Sequence, residues 1–257
     1  MKVAGTTFWI TGASSGIGAE LASELLRRGG RVAISARRRE GLEAVSQGKM
    51  HVEPLDITDR SAVHAAAQSV REALGSIDVA VLNAGTWQQV KTDKFDAESF
   101  RATFDTNVMG TVHCIEALLP TMLADGRGVI AGMASVAGYR GLPGSEAYGA
   151  SKAALINLLE SLRGSLGPRG IRVQTISPGF VRTDLTARNK FPMPFLIDVD
   201  RAARIIADGI AAEKTEIVFP LPMMLMMKVA RLVPNAVWPK LFARTPMARG
   251  AKPSAKG

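Results

Sequence analysis

Short apolar, β-branched runs along the chain alternate with longer segments in which apolar residues recur at helical spacing. The strand-like runs lie near residues 6–10, 31–36, 50–55, 77–82, 128–133, 171–176 and 216–219. Most of them are separated by stretches long enough for a helix, which is the order that βαβ units require. The pattern predicts an α/β fold with a doubly wound parallel sheet of about seven strands and helices on both faces.

The first strand-like run leads into a glycine-rich turn and then a helix. The turn carries Gly12, Ser14, Ser15, Gly16 and Gly18, and Ile17, Leu21 and Leu25 continue at helical spacing. A glycine lets a phosphate group approach the backbone N–H groups and the positive end of the helix, which a Cβ would prevent. The spacing G-x-x-x-G-x-G in this context predicts a pyrophosphate-binding turn, with an ordinary tight turn as the alternative.

The residues after the second strand indicate which dinucleotide is bound. The predicted strand Arg31–Ser35 is followed by Ala36, where an NAD site usually has an acidic residue, and then by Arg37, Arg38 and Arg39. A guanidinium group can hold a phosphate through two hydrogen bonds and neutralise it. The alternative is that these arginines bind no ligand and are simply solvated at the start of a helix. This alternative is disfavoured, because cations are poorly placed at the positive end of a helix. The sequence therefore predicts NADP(H), with Arg37 and Arg38 at the 2′-phosphate.

A second motif can handle protons. Tyr148 and Lys152 are four residues apart, so on a helix they share one face, and Ser135 lies 13 residues before the tyrosine. An ammonium group beneath the phenol would lower the pKa of Tyr148 from about 10. The pair alone is a weak signal, but together with the glycine-rich turn it predicts an acid–base site.

These motifs together resemble the classical short-chain dehydrogenase/reductase family over about residues 5–185. The resemblance also rests on residues spread along the chain, namely Asp56, Asn83-Ala84-Gly85, Asn107, Pro178-Gly179 and Thr183. Leu82 and Ala134 depart from residues that many members have, and neither change removes a catalytic group. The resemblance implies a Rossmann-like single domain, with a cofactor-binding and catalytic core over about residues 5–183.

The resemblance also implies roles for individual residues. Tyr148 would be the general acid in reduction and the general base in oxidation, and Ser135 would bind the substrate oxygen. Lys152 would hold the nicotinamide ribose and lower the pKa of the tyrosine, while Asn107 would bind a water that relays protons through Lys152. The expected cofactor contacts are Gly12, Ser14, Ser15, Gly16, Ile17, Gly18, Arg37, Arg38, Asp56, Ile57, Asn83, Ala84, Gly85, Tyr148, Lys152, Pro178, Gly179, Val181 and Thr183.

Composition limits the other possibilities. The 257 residues are 47% hydrophobic, enough for one domain with a large core. Cys114 is the single cysteine, so no intrachain disulfide can form and a reducing compartment is expected. The histidines His51, His64 and His113 have no ligand partners at metal-binding spacing, so no metal is expected. The first apolar run is too short for a signal peptide, which favours a cytoplasmic enzyme.

Other functional classes fit less well. The net charge of +9 suggests nucleic-acid binding as a possible function, but the chain has no basic stripe interleaved with aromatic residues. Ser135 does not lie in the G-x-S-x-G spacing of a serine hydrolase. A non-catalytic NADP(H)-binding sensor protein of the same fold remains the alternative to an NADP(H)-dependent carbonyl reductase or alcohol dehydrogenase.

Two segments after Thr183 are particular to this chain. Residues 184–200 are expected to form a substrate loop, whose apolar residues from Phe191 to Ile197 favour a hydrophobic carbonyl or alcohol substrate. Residues 221–257 carry seven lysines and arginines and no acidic residue, and their apolar run is too short to cross a bilayer. We expect 221–244 to contact another subunit of a homo-oligomer (dimer or tetramer), roof the pocket, contact a membrane surface, or simply pack as a helix.

Overall fold

The computed structural model describes residues 1–90, 92–187 and 192–242. Within these ranges seven parallel strands form one sheet. Their bounds are Thr7–Thr11 (β1), Arg31–Ala36 (β2), His51–Pro54 (β3), Val79–Leu82 (β4), Gly128–Met133 (β5), Ile171–Pro178 (β6) and Glu216–Phe219 (β7). The spatial order β3-β2-β1-β4-β5-β6-β7 is that of a doubly wound sheet, so the predicted fold class and strand positions are confirmed.

Helices connect the strands and cover both faces of the sheet. The α-helices are Gly16–Arg27 (α1), Arg39–Ser46 (α2), Arg60–Leu74 (α3), Ala97–Phe104 (α4), Gly110–Asp125 (α5), Glu146–Leu166 (α6), Asp184–Ala187 (α7), Val199–Ala211 (α8), Leu221–Ala230 (α9) and Trp238–Phe242 (α10). A π-helical turn over Asp105–Met109 joins α4 to α5. Short 3-10 turns occupy Thr92–Lys94, Val136–Gly138 and Gly167–Arg169.

Strand periodicity divides the core into two layers. Along β1, Phe8 and Ile10 point into a cluster with α1, α2 and α8, whereas Trp9 points into a cluster with α3, α5 and α6. Every residue of β1 is buried, as expected for a central parallel strand covered on both faces. Alternating side chains thus anchor a helical layer on each side of the sheet.

The chain places β2 and β3 on one side of β1 and then β4 to β7 on its other side, so β1 and β4 are parallel neighbours in the sheet. The connections that leave these two strands run to opposite faces, so a crevice opens beyond their carboxyl ends. The glycine-rich turn after Thr11 and the Asn83-Ala84-Gly85 segment after Leu82 both lie at this crevice. The topology therefore brings together two motifs that are about 70 residues apart in sequence.

Some segments differ from the sequence-based expectation or fall outside the described ranges. Within the segment 184–200, Asp184–Ala187 forms α7 and Val199 begins α8, and the role of this segment as a substrate loop stays a prediction. Ile197 pairs with Val181 and is buried in the core. Phe191 and residues 243–257 lie outside the described residues.

The C-terminal segment packs back onto the domain. On α9, Met223, Met227 and Ala230 are buried, and the two methionines form a small cluster with Val136 and Tyr139. The opposite side of α9 is exposed. Of the helices in the described ranges, none combines the length and the apolar character needed to cross a membrane.

Candidate active site

The glycines of the first turn are required by close backbone packing. Gly12 has a φ of +68°, and a Cβ built on it would lie 2.6 Å from Cα of Ala84. A Cβ on Gly18 would lie 2.5 Å from both Nδ2 of Asn83 and the carbonyl oxygen of Gly12. The turn can therefore rest directly on the segment after β4 only if these positions lack side chains.

Asn83 joins the two motifs by hydrogen bonds. Its Nδ2 donates to the carbonyl oxygens of Thr11 and Gly12, both at 3.0 Å. In return, the hydroxyl of Thr11 accepts from the backbone N–H groups of Asn83 and Ala84 at 3.1 and 3.2 Å. The side chain of Asn83 is thus used in shaping the turn.

The start of α1 presents its positive end to this crevice. Ser15 occupies the position before the helix with extended backbone, and within the described structure its side chain makes no capping hydrogen bond. Gly16 follows with a φ of +59°, and a Cβ on it would lie 3.3 Å from Cγ2 of Thr183. Ser14 is half-buried against Gly41 of α2. This arrangement leaves the N–H groups of the first turn available to an anion and places Thr183 on its far side.

Arg37 and Arg38 are exposed at the end of β2, directly before α2. Within the described ranges neither forms an ion pair, whereas Arg39 lies 3.7 Å from Glu43. Hydrogen bonding from Thr58 lowers the pKa of Asp56, and the charge of Arg37 adds to this effect. Arg37 therefore lies near the expected adenine site and is free to bind an anion.

Ile57 and Val181 both bury their side chains. Ile57 packs against Gly110, and Val181 belongs to the core and pairs with Ile197. The carbonyl oxygen of Ile57 also lies 3.0 Å from Nδ1 of His113.

Asn107 lies fully buried in the π-helical turn between α4 and α5. Its Oδ1 accepts from the N–H of Thr86 at 2.7 Å, and its Nδ2 donates to the carbonyl oxygen of Thr86 at 3.0 Å and to Oγ of Ser151 at 2.9 Å. The hydroxyl of Ser151 donates to the carbonyl oxygen of Tyr148 at 2.7 Å. Asn107 therefore links the loop after β4 to the turn of α6 that carries Tyr148, and π-helical turns often mark functional positions.

Gly85 shows that Asn107 and Lys152 converge. A Cβ on Gly85 would lie 3.1 Å from Oδ1 of Asn107 and 3.5 Å from Nζ of Lys152. The Nζ of Lys152 donates to the carbonyl oxygen of Met133 at the end of β5, at 2.7 Å. The expected water relay from Asn107 through Lys152 stays a prediction, but its two protein groups face the same small space.

Tyr148 and Ser135 meet above the ends of β5 and β6. Nζ of Lys152 lies 5.6 Å from the centre of the Tyr148 ring. Burial raises the pKa of Tyr148, and a hydrogen bond with Ser135 partly opposes the rise. Removing the phenol from water therefore outweighs the hydrogen bond with Ser135, and a lowering of the Tyr148 pKa by Lys152 stays a prediction.

Lys152 is itself almost completely buried. Burial lowers its pKa to about 8. A cation held there without a carboxylate is costly, and in the described structure the Met133 carbonyl is its hydrogen-bond acceptor. The site is therefore ready to receive polar or anionic groups.

Ser135 is oriented from two sides. Its hydroxyl accepts from the N–H of Ala137 at 3.2 Å and lies 3.4 Å from the carbonyl oxygen of Pro178, to which it donates. Gly179 follows, and a Cβ on it would lie 3.0 Å from Cγ of Met223. The expected nicotinamide-side residues are thus in contact with the serine on one side and with α9 on the other.

The remaining candidate nucleophile and ligands are placed elsewhere. Cys114 is buried in the core, and burial raises the pKa of its thiol to about 12, which excludes a reactive thiolate at neutral pH. His51 and His64 each lie 3.3 Å from a glutamate, in separate parts of the chain. No group of potential metal ligands occurs among the described residues.

Sequence reasoning missed several residues that shape the site. Thr11 directly precedes the glycine-rich turn, Thr86 directly follows Gly85, and Ser151 directly precedes Lys152. Their position next to these motifs was a signal in the sequence that could have identified them. Tyr139 and Glu216 had no such signal: the Tyr139 hydroxyl donates to Oε1 of Glu216 at 2.6 Å across 77 residues. This bond ties the loop after Ser135 to β7.

Known proteins are similar to this chain in sequence. The family model described as short chain dehydrogenase matches residues 6–192. An "uncharacterized oxidoreductase" of Myxococcus xanthus is 39% identical over 238 residues, which cover 90% of this chain and 94% of that protein. The 2-dehydro-3-deoxy-L-rhamnonate dehydrogenase (NAD(+)) of a Sphingomonas species is 33% identical over 219 residues, covering 80% and 88% of the two chains.

A solved structure extends the similarity to three dimensions. The short chain dehydrogenase from Burkholderia cenocepacia, solved in complex with NADP, superposes with a TM-score of 0.83 at 27% identity. The match covers 94% of this chain and 99% of that one. Relatives and structural neighbours therefore include proteins named for either nicotinamide dinucleotide.

Proposed function

The chain belongs to the short-chain dehydrogenase family, and from this premise we propose that it is an NADP(H)-dependent oxidoreductase. It would interconvert a ketone or aldehyde and the corresponding alcohol. The observation that carries the proposal is the convergence of Ser135, Tyr148 and Lys152 at the carboxyl edge of the sheet, beside the glycine-rich turn. Bound NADPH would supply the hydride.

Tyr148 would donate its hydroxyl proton to the carbonyl oxygen of the substrate. Because burial raises the pKa of Tyr148, the phenol is protonated at neutral pH, which is the form that reduction requires. Ser135 is hydrogen-bonded to the phenol in the free protein. Its hydroxyl would donate to the substrate oxygen, which would then accept one hydrogen bond from Tyr148 and one from Ser135. Two donors aimed at one oxygen would stabilise the negative charge that develops there.

Lys152 would restore the proton and hold the ribose. A lysine with a pKa of about 8 can give up a proton near neutral pH more readily than an ordinary lysine. Its nearness to the Tyr148 ring would also favour the phenolate after proton donation. Asn107 would keep Tyr148 in position through Ser151 and the Tyr148 carbonyl.

The preference for NADP(H) is supported by Arg37 and Arg38. Both are exposed, and neither has a carboxylate partner within the described chain. They directly follow Ala36, which stands where an NAD site usually has an acidic residue. A 2′-phosphate would gain two charge-assisted contacts there. The Sphingomonas relative is named for NAD, so the cofactor needs a direct test on this chain.

An apolar substrate is supported by the segment after β6. Leu185 and Phe195 are exposed on either side of residues 188–191, and Met223 packs against Gly179. Apolar side chains around a few convergent polar groups are typical of small-molecule sites. A homo-oligomer (dimer or tetramer) and a cytoplasmic location complete the proposal, and light scattering of the pure protein tests the former.

The experiment compares the two tyrosines of the chain. NADPH oxidation is followed with a panel of apolar ketones for the wild type, Tyr148→Phe and Tyr139→Phe. We expect Tyr148→Phe to lose about 100- to 10,000-fold in kcat while still binding NADPH, because only its proton donor is removed. Tyr139→Phe should stay within a few-fold, since its hydroxyl bonds to Glu216 instead.

Two results would reject the proposal. Tight NADPH binding by a wild type that oxidises it with no carbonyl of the panel would favour the non-catalytic sensor protein. Retention of more than about a tenth of the turnover by Tyr148→Phe, with chemistry rate-limiting, would remove the tyrosine from its role.

A further inference from the structure

Exposed apolar side chains are concentrated in one part of the molecule. Of the eleven large apolar side chains that are exposed in the described chain, seven lie between residues 221 and 242. This outer face consists of Leu221, Leu225, Met226, Val229, Leu232, Val237 and Leu241. Such a concentration on a surface marks an interaction site, because single exposed apolar residues are ordinary but clusters are not.

On α9, the outer face follows from helical spacing. Leu221, Leu225 and Val229 follow each other at intervals of four along α9, so they share one side of the helix. The other side carries Met223 and Met227, which are buried against Val136 and Tyr139. Since burial fixes the inner side, α9 cannot rotate to hide the outer one.

The charge around this face has a single sign. Residues 221–242 contain Lys228, Arg231 and Lys240 and no carboxylate, and the sequence to residue 257 adds four more cations and no acid. Lys228 pairs with Glu216 at 2.9 Å, whereas Arg231 and Lys240 form no ion pair with any described residue. Arg231 stacks over the Tyr139 ring at 5.7 Å. The segment therefore combines exposed leucines and valines with positive charge of a single sign, and of its cations Lys240 has neither an ion pair nor a ring contact among the described residues.

An aromatic residue completes the pattern. Trp238 begins α10 and donates its indole N–H to the carbonyl oxygen of Gly141 at 2.7 Å, with Arg140 lying 5.4 Å from its ring centre. Trp238 thus holds α10 against the protein, whereas leucines and valines beside basic residues are typical of helices that lie in the membrane interface. At ten residues, α9 is too short to cross a bilayer and can only lie along its surface.

We propose that the outer face of α9 and α10 docks on an anionic lipid bilayer. The leucines and Val229 would enter the headgroup region, and Arg231 and Lys240 would contact lipid phosphates. A second copy of the chain is the weaker partner, because a two-fold contact would bring these cations together without a carboxylate in the face to offset them. Docking does not depend on catalysis, so it can be tested without turnover.

The test uses the full-length protein and sedimentation with vesicles. One set of vesicles is pure phosphatidylcholine and the other contains phosphatidylglycerol as well. We expect binding to the phosphatidylglycerol vesicles at low salt, and roughly tenfold weaker binding to the neutral vesicles or at high salt. No binding to either set would overturn the proposal.

The variants locate the contact. Leu225→Glu combined with Leu232→Glu changes two side chains that are 54% and 82% exposed, so folding should be preserved, as circular dichroism and the melting temperature would show. We expect this double variant to bind about tenfold more weakly or worse, because it replaces apolar contacts by repulsion. Phe95→Glu, at a residue 63% exposed outside the face, should bind like the wild type.

Light scattering identifies the competing partner. If the wild type ignores the vesicles and the double variant has a smaller mass than the wild type, the face is a contact between copies and the proposal is wrong. Equal vesicle binding by the double variant and the wild type would also refute it, because the outer face would then contribute nothing.

Discussion

At the scale of single residues, the buried amine of Lys152 is the most unusual group in the site. It has lost nearly all contact with water and donates to the Met133 carbonyl. Burial lowers its pKa to about 8, compared with about 10.4 for a free lysine. Such perturbed groups are typical of catalytic sites, where a proton must be available near neutral pH.

This shift predicts a pH-dependent cost in stability. Below about pH 8 the folded protein must hold the buried ammonium, and the unfolded chain binds the proton more tightly, so the destabilisation is complete. It disappears as the pH rises from about 8 to about 10.4, where both states become neutral. Lys152→Met should therefore be more stable than the wild type at pH 7, by roughly 1–3 kcal/mol, and lose most of this advantage by pH 10. Urea unfolding of both proteins across this range measures it, and a pH-independent difference would contradict the assignment.

Arg37 gives a second prediction for a single residue. Arg37→Ala should weaken NADPH binding by about 10- to 150-fold and leave NADH binding nearly unchanged, because it removes a charge-assisted contact to the 2′-phosphate only. Arg39→Ala is the matched control, since Arg39 already faces Glu43. Fluorescence titration with both dinucleotides measures the dissociation constants. Equal losses for NADPH and NADH would show that Arg37 has a structural role.

At the scale of elements, the glycine-rich turn is held by its neighbour as much as it is shaped by its own sequence. Asn83 bonds to the backbone of Thr11 and Gly12, and Gly18 leaves room for the Asn83 amide. The start of α1 is thereby fixed against the end of β4. A phosphate site built from backbone N–H groups depends on this rigidity, because each donor must point at the ligand before it arrives.

A pair of alanine substitutions tests this packing. Gly18→Ala would place a Cβ 2.5 Å from the Gly12 carbonyl oxygen, so we expect a loss of about 1–3 kcal/mol in stability and weaker NADPH binding. Gly164→Ala changes an exposed position of α6, where no atom lies within 4 Å of the new Cβ. This variant should be neutral or more stable by up to about 1 kcal/mol. Thermal unfolding and NADPH titration of both variants provide the comparison. Similar behaviour of the two would mean that the turn tolerates a side chain.

At the scale of the whole molecule, helix α9 closes the domain next to the site. Met223 and Met227 cover Val136 and Tyr139, and Met223 also contacts the position of Gly179. Lys228 reaches back to Glu216 on β7, which also accepts from Tyr139. One helix thus supports both the loop after Ser135 and the Pro178-Gly179 turn.

Removal of this helix should therefore weaken the fold and the site together. A chain ending at Pro220 loses two buried methionines, and we expect about 3–6 kcal/mol of lost stability together with a lower kcat/KM. A chain ending at Phe242 is the control and should behave like the full-length protein, because it keeps every contact described above. Urea midpoints and the carbonyl assay compare the three chains. Unchanged stability and activity of the shorter chain would contradict a supporting role for α9.

The sequence determined by itself whatever depends on local pattern. Strand positions followed from short β-branched runs, because a parallel strand covered on both faces must be apolar throughout. The glycine-rich turn and the Tyr148–Lys152 spacing were visible for the same reason, since their geometry is set within a few residues. The pairing of Arg37 with the cofactor was also inferred locally and still requires its binding test.

Only the tertiary structure decided what depends on distant parts of the chain. The raised pKa of Tyr148 comes from burial by several elements, which no spacing of residues encodes. The bond between Tyr139 and Glu216, and the use of the Asn107 side chain in binding Thr86 and Ser151, join positions far apart in sequence. The sequence left open which side of α9 is buried, because its apolar residues surround the helix. Packing against Val136 and Tyr139 settled this, and thereby exposed the outer face.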